Sequence, residues 1–302
     1  MAGKGNSLRA IYYALGANFA IFAAKTFAAV MTGSSAMTAE AVHSLADCGN
    51  QGLLLIGLRR AKRPPDPNFP LGHGKAIYFW SFLVALILFS AGGMFSLYEG
   101  VHKLAEPKLL SHAWLALCVL GFGMVAESFS MWGCMREVNK ARGDSSLWMW
   151  FRESRQSELI VIFGEDLAAL FGLAFAFVAV VLTVVTGNPV WDALGSLVIG
   201  ALLIVVAVFI GAKVKGLLIG QSADSNLRAQ IQEFLQASDD VDRVLNLITL
   251  QLGEEVMVAV KAKMVPVAGA DFLIQAINRT EGALRERFPE IRWCFFEPDA
   301  DD

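Results

Sequence analysis

Residues 159–185 read LIVIFGEDLAALFGLAFAFVAVVLTVV. The stretch is long enough to cross a hydrocarbon layer, which takes about 20 apolar residues in a helix. Yet it carries Glu165 and Asp166 side by side. An ionisable group at bilayer depth costs about 2.5–3.5 kcal/mol on insertion scales, and those that persist mark ion or proton paths. A second run, residues 36–58, places Glu40, His43 and Asp47 on one helical stripe. These two segments decide the fold, a helical membrane protein, and supply the handle on its function.

The rest of the chain agrees. Of its 302 residues 55% are hydrophobic, and the mean hydropathy of +0.51 lies above the range of ordinary soluble domains. A formal net charge of −3 offers no basic face for nucleic acid. Cys48, Cys118, Cys134 and Cys294 are scattered without a CxxC pair, which argues against a zinc ribbon or a disulfide framework.

Six transmembrane helices are predicted, near residues 8–31, 36–58, 77–101, 113–134, 158–185 and 189–214. Thr32-Gly33-Ser34-Ser35 makes the turn between the first two, and Gly187-Asn188-Pro189 between the last two. Orientation follows from the basic loops. Arg59, Arg60, Lys62 and Arg63 follow the second span, and Arg136, Lys140, Arg142, Arg152 and Arg155 follow the fourth. Such loops face the cytoplasm, so both termini are predicted there. Trp80, Trp114, Trp132 and Trp191 fall near span ends, where amphipathic rings prefer the interface. The first residues carry no cleavable signal pattern, so the first span is expected to insert the chain, with a bacterial-type inner membrane as the expected location.

Past residue 214 the chain turns polar. Residues 227–235 and 272–288 show helical spacing, 244–252 and 256–265 show strand alternation around Gly253-Glu254-Glu255, and 291–296 reads as a last strand. The expected division is a transmembrane domain over residues 1–214 and a small α+β cytoplasmic domain over residues 215–302. A domain of that size holds a modest core and gains stability by pairing.

His43 and Asp47 are four residues apart, which on a helix places them about 40° apart and about 6 Å along the axis. With Glu40 on the same stripe they form a nitrogen–oxygen donor set suited to a divalent cation such as Zn²⁺. Asp166 on the fifth span supplies a third ligand, and Glu165 or Glu127 a fourth. A proton relay without metal would use the same residues. Lys25, mid-span, either neutralises Glu40, snorkels, or serves structure.

Together these residues resemble the cation diffusion facilitator family of divalent-metal transporters. Asn18, Lys25, Gly33-Ser34-Ser35-Ala36-Met37 and His43-Ser44-Leu45-Ala46-Asp47 resemble its first two helices and their metal motif. Leu71-Gly72-His73-Gly74-Lys75 resembles the following loop, and Asn188-Pro189, Asp192, Gly195-Ser196 and Gly200 the sixth helix. Residues 47–54, Glu153-Ser154-Arg155 and residues 165–169 are similar to the zinc transporter nine-like branch.

The resemblance implies a homodimer that exports a divalent cation, Zn²⁺ first, by alternating access against protons, with a cytoplasmic ferredoxin-like dimerisation domain. His43, Asp47 and Asp166 match the family's intramembrane site. The fourth position does not, because Ile162 stands where the family has His or Asp; Glu165 is the replacement candidate. One nitrogen with two or three carboxylates is a harder set, better suited to Mn²⁺, Fe²⁺ or Co²⁺.

Asp66 and His73 match ligand positions of a cytoplasmic loop site, with Phe69 where a His is common. The cytoplasmic domain contains no histidine, since the four are His43, His73, His102 and His112. A histidine-bridged dimer interface is therefore not expected, and Cys294 is read as core. His102 and His112 are read as surface residues. Leu147-Trp148-Met149-Trp150-Phe151, within a long loop over residues 135–157, predicts an interfacial amphipathic helix that anchors the chain or gates the entrance. No nucleophile–base pair, phosphate loop or HExxH motif points to an enzyme. The incomplete ligand set also allows a non-transporting membrane partner protein.

Overall fold

The computed structural model describes the backbone of residues 7–32, 35–106 and 113–301, and the side chains of residues 11–27, 30, 44–106 and 113–301. Helices α1 (Ser7–Thr32) and α2 (Ser35–Ala61) are followed by α3 (Ala76–Ile87), a π-helical turn (Leu88–Met94) and α4 (Phe95–Ala105), which together form one rod. Helices α5 (Ala113–Arg142), α7 (Ser157–Thr186) and α8 (Val190–Ile219) complete the bundle, with the short α6 (Leu147–Glu153) between α5 and α7. Among the described residues, four rods are long and apolar enough to cross a membrane: the α3–α4 rod, α5, α7 and α8. The two polar-striped helices, α1 and α2, pack against each other, and α1 also packs on α5; α7 lies between α5 and α8. An apolar cluster of Ile11, Leu54, Tyr78, residues 159–162, Ile210 and Val214 holds the bundle.

The helices outrun the apolar segments that predicted them, mainly at the ends that carry the basic residues. α5 continues to Arg142 instead of ending near residue 134, and α8 to Ile219 instead of 214. Hydropathy reports where lipid would be, whereas a helix ends where its hydrogen bonding stops. α5 is followed by Gly143 at φ +53° and α8 by Gly220 at φ +134°, conformations that favour glycine. The long loop of residues 135–157 is correspondingly shorter than expected, and α6 fills half of what remains. Ser146 caps α6 by accepting from the Met149 amide at 3.2 Å. Trp150 is buried edge-on against Phe163 of α7, while Leu147, Trp148 and Met149 are exposed. This is the amphipathic arrangement expected of an interfacial helix.

The third predicted span is not a uniform helix. Its π-helical turn holds Ser90, Gly92 and Gly93, where α8 makes its closest approach. A Cβ on Gly200 of α8 would lie 2.9 Å from the Gly93 carbonyl oxygen and 2.8 Å from the Leu97 amide nitrogen. Only glycine permits that approach, and extra-residue turns of this kind recur at functional sites.

The polar C-terminal part is built on a separate core of Ile231, Leu235, Val258, Ala262, Leu284, Ile291 and Cys294. Its order is α9 (Ser225–Gln236), β1 (Val241–Leu252), β2 (Glu255–Met264), α10 (Ala270–Arg287) and β3 (Ile291–Pro298). β1 pairs antiparallel with β2, and β2 parallel with β3, in the sheet order β1-β2-β3. Buried Val256, Val258, Val260 and Ala262 alternate with outward residues along β2. The β1–β2 turn is Gly253-Glu254, one residue shorter than expected, since Glu255 already pairs with Leu252.

This small sheet touches the bundle through the β1–β2 turn. Tyr78 of α3 accepts from the Gly253 amide at 3.0 Å and donates to its carbonyl at 3.4 Å. A Cβ on Gly74 would lie 2.0 Å from the Leu252 carbonyl oxygen, so the loop and the hairpin meet backbone to backbone. Arg155, at the start of α7, donates to the carbonyls of Ser222 and Ala223 at 2.8 and 3.3 Å. Burial pushes this guanidinium's pKa below its ordinary value.

Candidate functional site

Four of the acidic residues singled out by sequence, Asp47, Glu127, Glu165 and Asp166, come together in one part of the bundle. Asp166 on α7 is 2% exposed, and its Oδ2 accepts a 2.9 Å hydrogen bond from Ser130 on α5, itself 1% exposed. Glu127, one turn before Ser130, is buried, as is Lys25 of α1. Asp47, Glu127, Glu165 and Asp166 lie within electrostatic reach of one another, and Lys25 acts on Glu127. α1, α2, α5 and α7 thus bring four carboxylates and one ammonium group into a shared region, in which Lys25, Glu127 and Asp166 are buried and Asp47 and Glu165 half-buried. Lys25 does not snorkel: it is buried beside Glu127, where opposite charge offsets its desolvation.

The side chains of Glu40 and His43 lie outside the described residues, so their expected places beside Asp47 are not seen. Among the described residues no three His, Cys, Asp or Glu side chains converge closely enough to hold a metal ion. Ile162, one turn before Asp166, is fully buried in the apolar cluster and supplies no donor.

Glu165 is held elsewhere. Its Oε1 accepts from Asn50 Nδ2 at 2.9 Å and its Oε2 from Gln51 Nε2 at 3.1 Å. Both oxygens of the replacement candidate are thereby engaged by α2. The backbones of α2 and α7 do not pack closely along their lengths among the described residues, so these long side chains bridge the gap. Sequence reasoning assigned no role to Ser130, Asn50 or Gln51. A signal was present: Ser130 follows Glu127 by three, and Asn50 follows Asp47 by three, each extending a polar stripe through an apolar helix.

The loop pair Asp66 and His73 does come together. His73 Nε2 lies 2.8 Å from Asp66 Oδ2, while Asp66 Oδ1 accepts from the amides of Asn68 and Phe69 at 2.8 and 2.9 Å. The His73 and Phe69 rings pack at a tilt of 44° with centroids 4.5 Å apart. The His73 contact, with help from the Phe69 amide, holds the Asp66 carboxyl below the usual carboxylate range. The two expected loop residues thus lie in direct contact with each other.

His102 is exposed and stacks on Tyr98; His112 lies outside the described residues. Cys294 is buried on β3, where burial pushes its thiol pKa up to about 11. A cavity of about 1310 Å³ opens between the bundle and the C-terminal sheet, lined by Lys62, Arg142, Glu153, Arg155, Asp224 and Glu286 among others. Its lining includes neither Asp47 nor Asp166. It lies apart from those two carboxylates.

A family profile described as the cation efflux transmembrane domain matches residues 11–219, which includes every helix of the bundle. The chain belongs to the cation efflux family. Members of this family, also called cation diffusion facilitators, are transporters and not enzymes. The chain is 33% identical over 232 residues to the mouse (Mus musculus) protein named "Proton-coupled zinc antiporter SLC30A9, mitochondrial", covering 76% of this chain and 41% of that protein. It is 32% identical over 241 residues to "Metal tolerance protein C4" of Arabidopsis thaliana, covering 78% and 52%. "Magnetosome protein MamB" of Paramagnetospirillum magneticum is 24% identical over 289 residues, 93% of this chain and 90% of that protein. The chain thus spans about half the length of the first two relatives. As a cation efflux protein it is an integral membrane protein of the branch that includes zinc transporter nine.

Proposed function

We propose that this cation efflux protein exports a divalent cation, Zn²⁺ first, across a bilayer in exchange for protons. The observation that carries the reading is the gathering of Asp47, Glu127, Glu165 and Asp166 from three helices within electrostatic reach of one another, Glu127 and Asp166 buried and Asp47 and Glu165 half-buried. Mutually repelling carboxylates away from water are stable only when a cation or protons neutralise them. His43, Asp47 and Asp166 are the proposed ligands, with Glu165 as fourth donor once its bonds to α2 open. Glu127 and Glu40 are further candidate donors.

Metal affinity depends on pH because ligands must shed protons to bind. Cytoplasmic ions enter when the carboxylates and imidazole are deprotonated. Rocking of the helices then exposes the site to the far side, where protons displace the ion. The likeness to proteins named proton-coupled zinc antiporters supports both the ion and the exchange. In this reading six helices span the membrane, both termini face the cytoplasm of a bacterial-type inner membrane, and residues 215–302 form a ferredoxin-like domain that pairs two copies. Residues 1–214 form the transport domain.

A second reading has a specific basis in Ile162. Without a donor there, the set is harder and suits Mn²⁺, Fe²⁺ or Co²⁺; taken further, turnover is lost and the chain acts as a non-transporting membrane partner. The test is uptake of Zn²⁺ by vesicles carrying the reconstituted chain under an imposed pH gradient. Parent vesicles load and Asp47→Ala and Asp166→Ala vesicles stay at background. Variants that transport as well as the parent would remove the site, and a parent that neither transports nor binds a divalent ion by calorimetry would select the partner reading.

A further inference from the structure

The stripe of α2 continues past Asp47 with an unusual pair. Asn50 and Gln51 are 2% and 1% exposed, one turn nearer the Arg59–Arg60 end of the helix. Their amide nitrogens serve Glu165. Their amide oxygens, Asn50 Oδ1 and Gln51 Oε1, are buried and accept from no group among the described residues. Each orphan oxygen is bonded to the same carbon as a nitrogen that touches the carboxylate, so both lie at the end of a side chain that reaches Glu165. Buried acceptors without donors are rare, and each calls for an explanation. Here two of them flank one carboxylate. Neither can donate, so what satisfies them is a donor or a positive charge arriving between α2 and α7.

We propose that Asn50, Gln51 and Glu165 form a second cation station, on the basic-loop side of Asp47 and Asp166, that takes a divalent cation through oxygen donors alone. In the structure the amides turn their N–H groups onto the carboxylate. Loaded, they turn over and present their oxygens, an exchange a carboxamide makes by rotating its terminal bond. Glu165, next to Asp166 in sequence, then hands the ion inward. Carboxylate and carbonyl donors suit Mn²⁺ better than a site containing imidazole does, so the station biases selection towards harder ions before the His43 site is reached. The proposal rests on the reading that the ion path runs between α2 and α7.

The probe is Mn²⁺, whose binding to the purified full-length chain in detergent is read by electron paramagnetic resonance. In the Asp47→Ala/Asp166→Ala variant, which lacks the inner pair, Mn²⁺ still binds. Adding Asn50→Leu and Gln51→Met lowers its affinity at least tenfold. Glu165→Gln in the otherwise parent chain keeps shape and one of the two acceptor oxygens and lowers Mn²⁺ affinity at least fivefold more than Zn²⁺ affinity, which guards against misfolding of the multiple variants. The station is overturned, with the transport reading left standing, if Asp47→Ala/Asp166→Ala abolishes all binding or if the amide substitutions leave Mn²⁺ affinity unchanged. A parent chain that binds neither ion removes both.

Discussion

At the scale of single residues, the layer is organised by who holds each carboxylate. Asp166 is held by Ser130, and Glu165 by Asn50 and Gln51. A hydroxyl that donates to a buried carboxylate is worth about 1.5–3 kcal/mol when the acceptor is charged, and it also fixes which oxygen lone pairs remain for an ion. Ser130→Ala is therefore expected to weaken Zn²⁺ binding about fivefold or more in calorimetry, while Ser130→Thr, which keeps the hydroxyl, restores it. Loss of folding alone would not be rescued in that pattern. The ionisable stripe of α2 was legible because charged residues in an apolar helix stand out against their surroundings. Ser130, Asn50 and Gln51 were not, because uncharged polar residues are tolerated in bundles for many reasons and only their partners reveal a role.

At the scale of elements, local chemistry explains most boundaries. Strand alternation and the glycine turn marked the hairpin, and each helix of the C-terminal part lies within a few residues of its predicted place. The departures have physical causes. The α3–α4 rod carries a π-helical turn where Gly93 meets Gly200, a contact between segments far apart in sequence that no local pattern encodes. The loop between α2 and α3 is shaped by Asp66, and its pKa gives a test. Its carboxyl titrates below the ordinary range because His73 and the Phe69 amide favour the charged form. A depressed folded-state pKa contributes stability that is present above the unfolded value and lost as pH falls through the folded one. Hydrogen exchange at the Asn68 and Phe69 amides is thus expected to lose protection on acidification below the usual carboxylate range. In Asp66→Asn that protection is already reduced at neutral pH and changes little with acid.

At the scale of the molecule, the bundle and the small sheet are joined where backbone meets backbone. Gly74 leaves no room for a Cβ against the Leu252 carbonyl, and Tyr78 exchanges hydrogen bonds with Gly253, which sits at φ +71°. Backbone atoms cannot swing aside as a flexible side chain does. Gly74→Val is therefore expected to separate the hairpin from α3, seen as faster hydrogen exchange at Gly253 and a lowered thermal midpoint. Tyr78→Phe, which removes one hydroxyl, is expected to cost about 1 kcal/mol and to give a milder version of the same change. If Gly74→Val leaves Gly253 protected, the junction is not where the two parts are held.

Composition and periodicity were by themselves sufficient to establish a helical membrane bundle followed by a polar α+β part, and to pick out Asp47 and Asp166, because burial of charge in an apolar run is a local signal. Which carboxylate is gripped by which donor, where the π-helical turn falls, and how the hairpin seats on α3 were decided only by the tertiary structure. Those features depend on side chains and glycines from distant segments meeting at contact distance, and a sequence records each partner without recording that they meet.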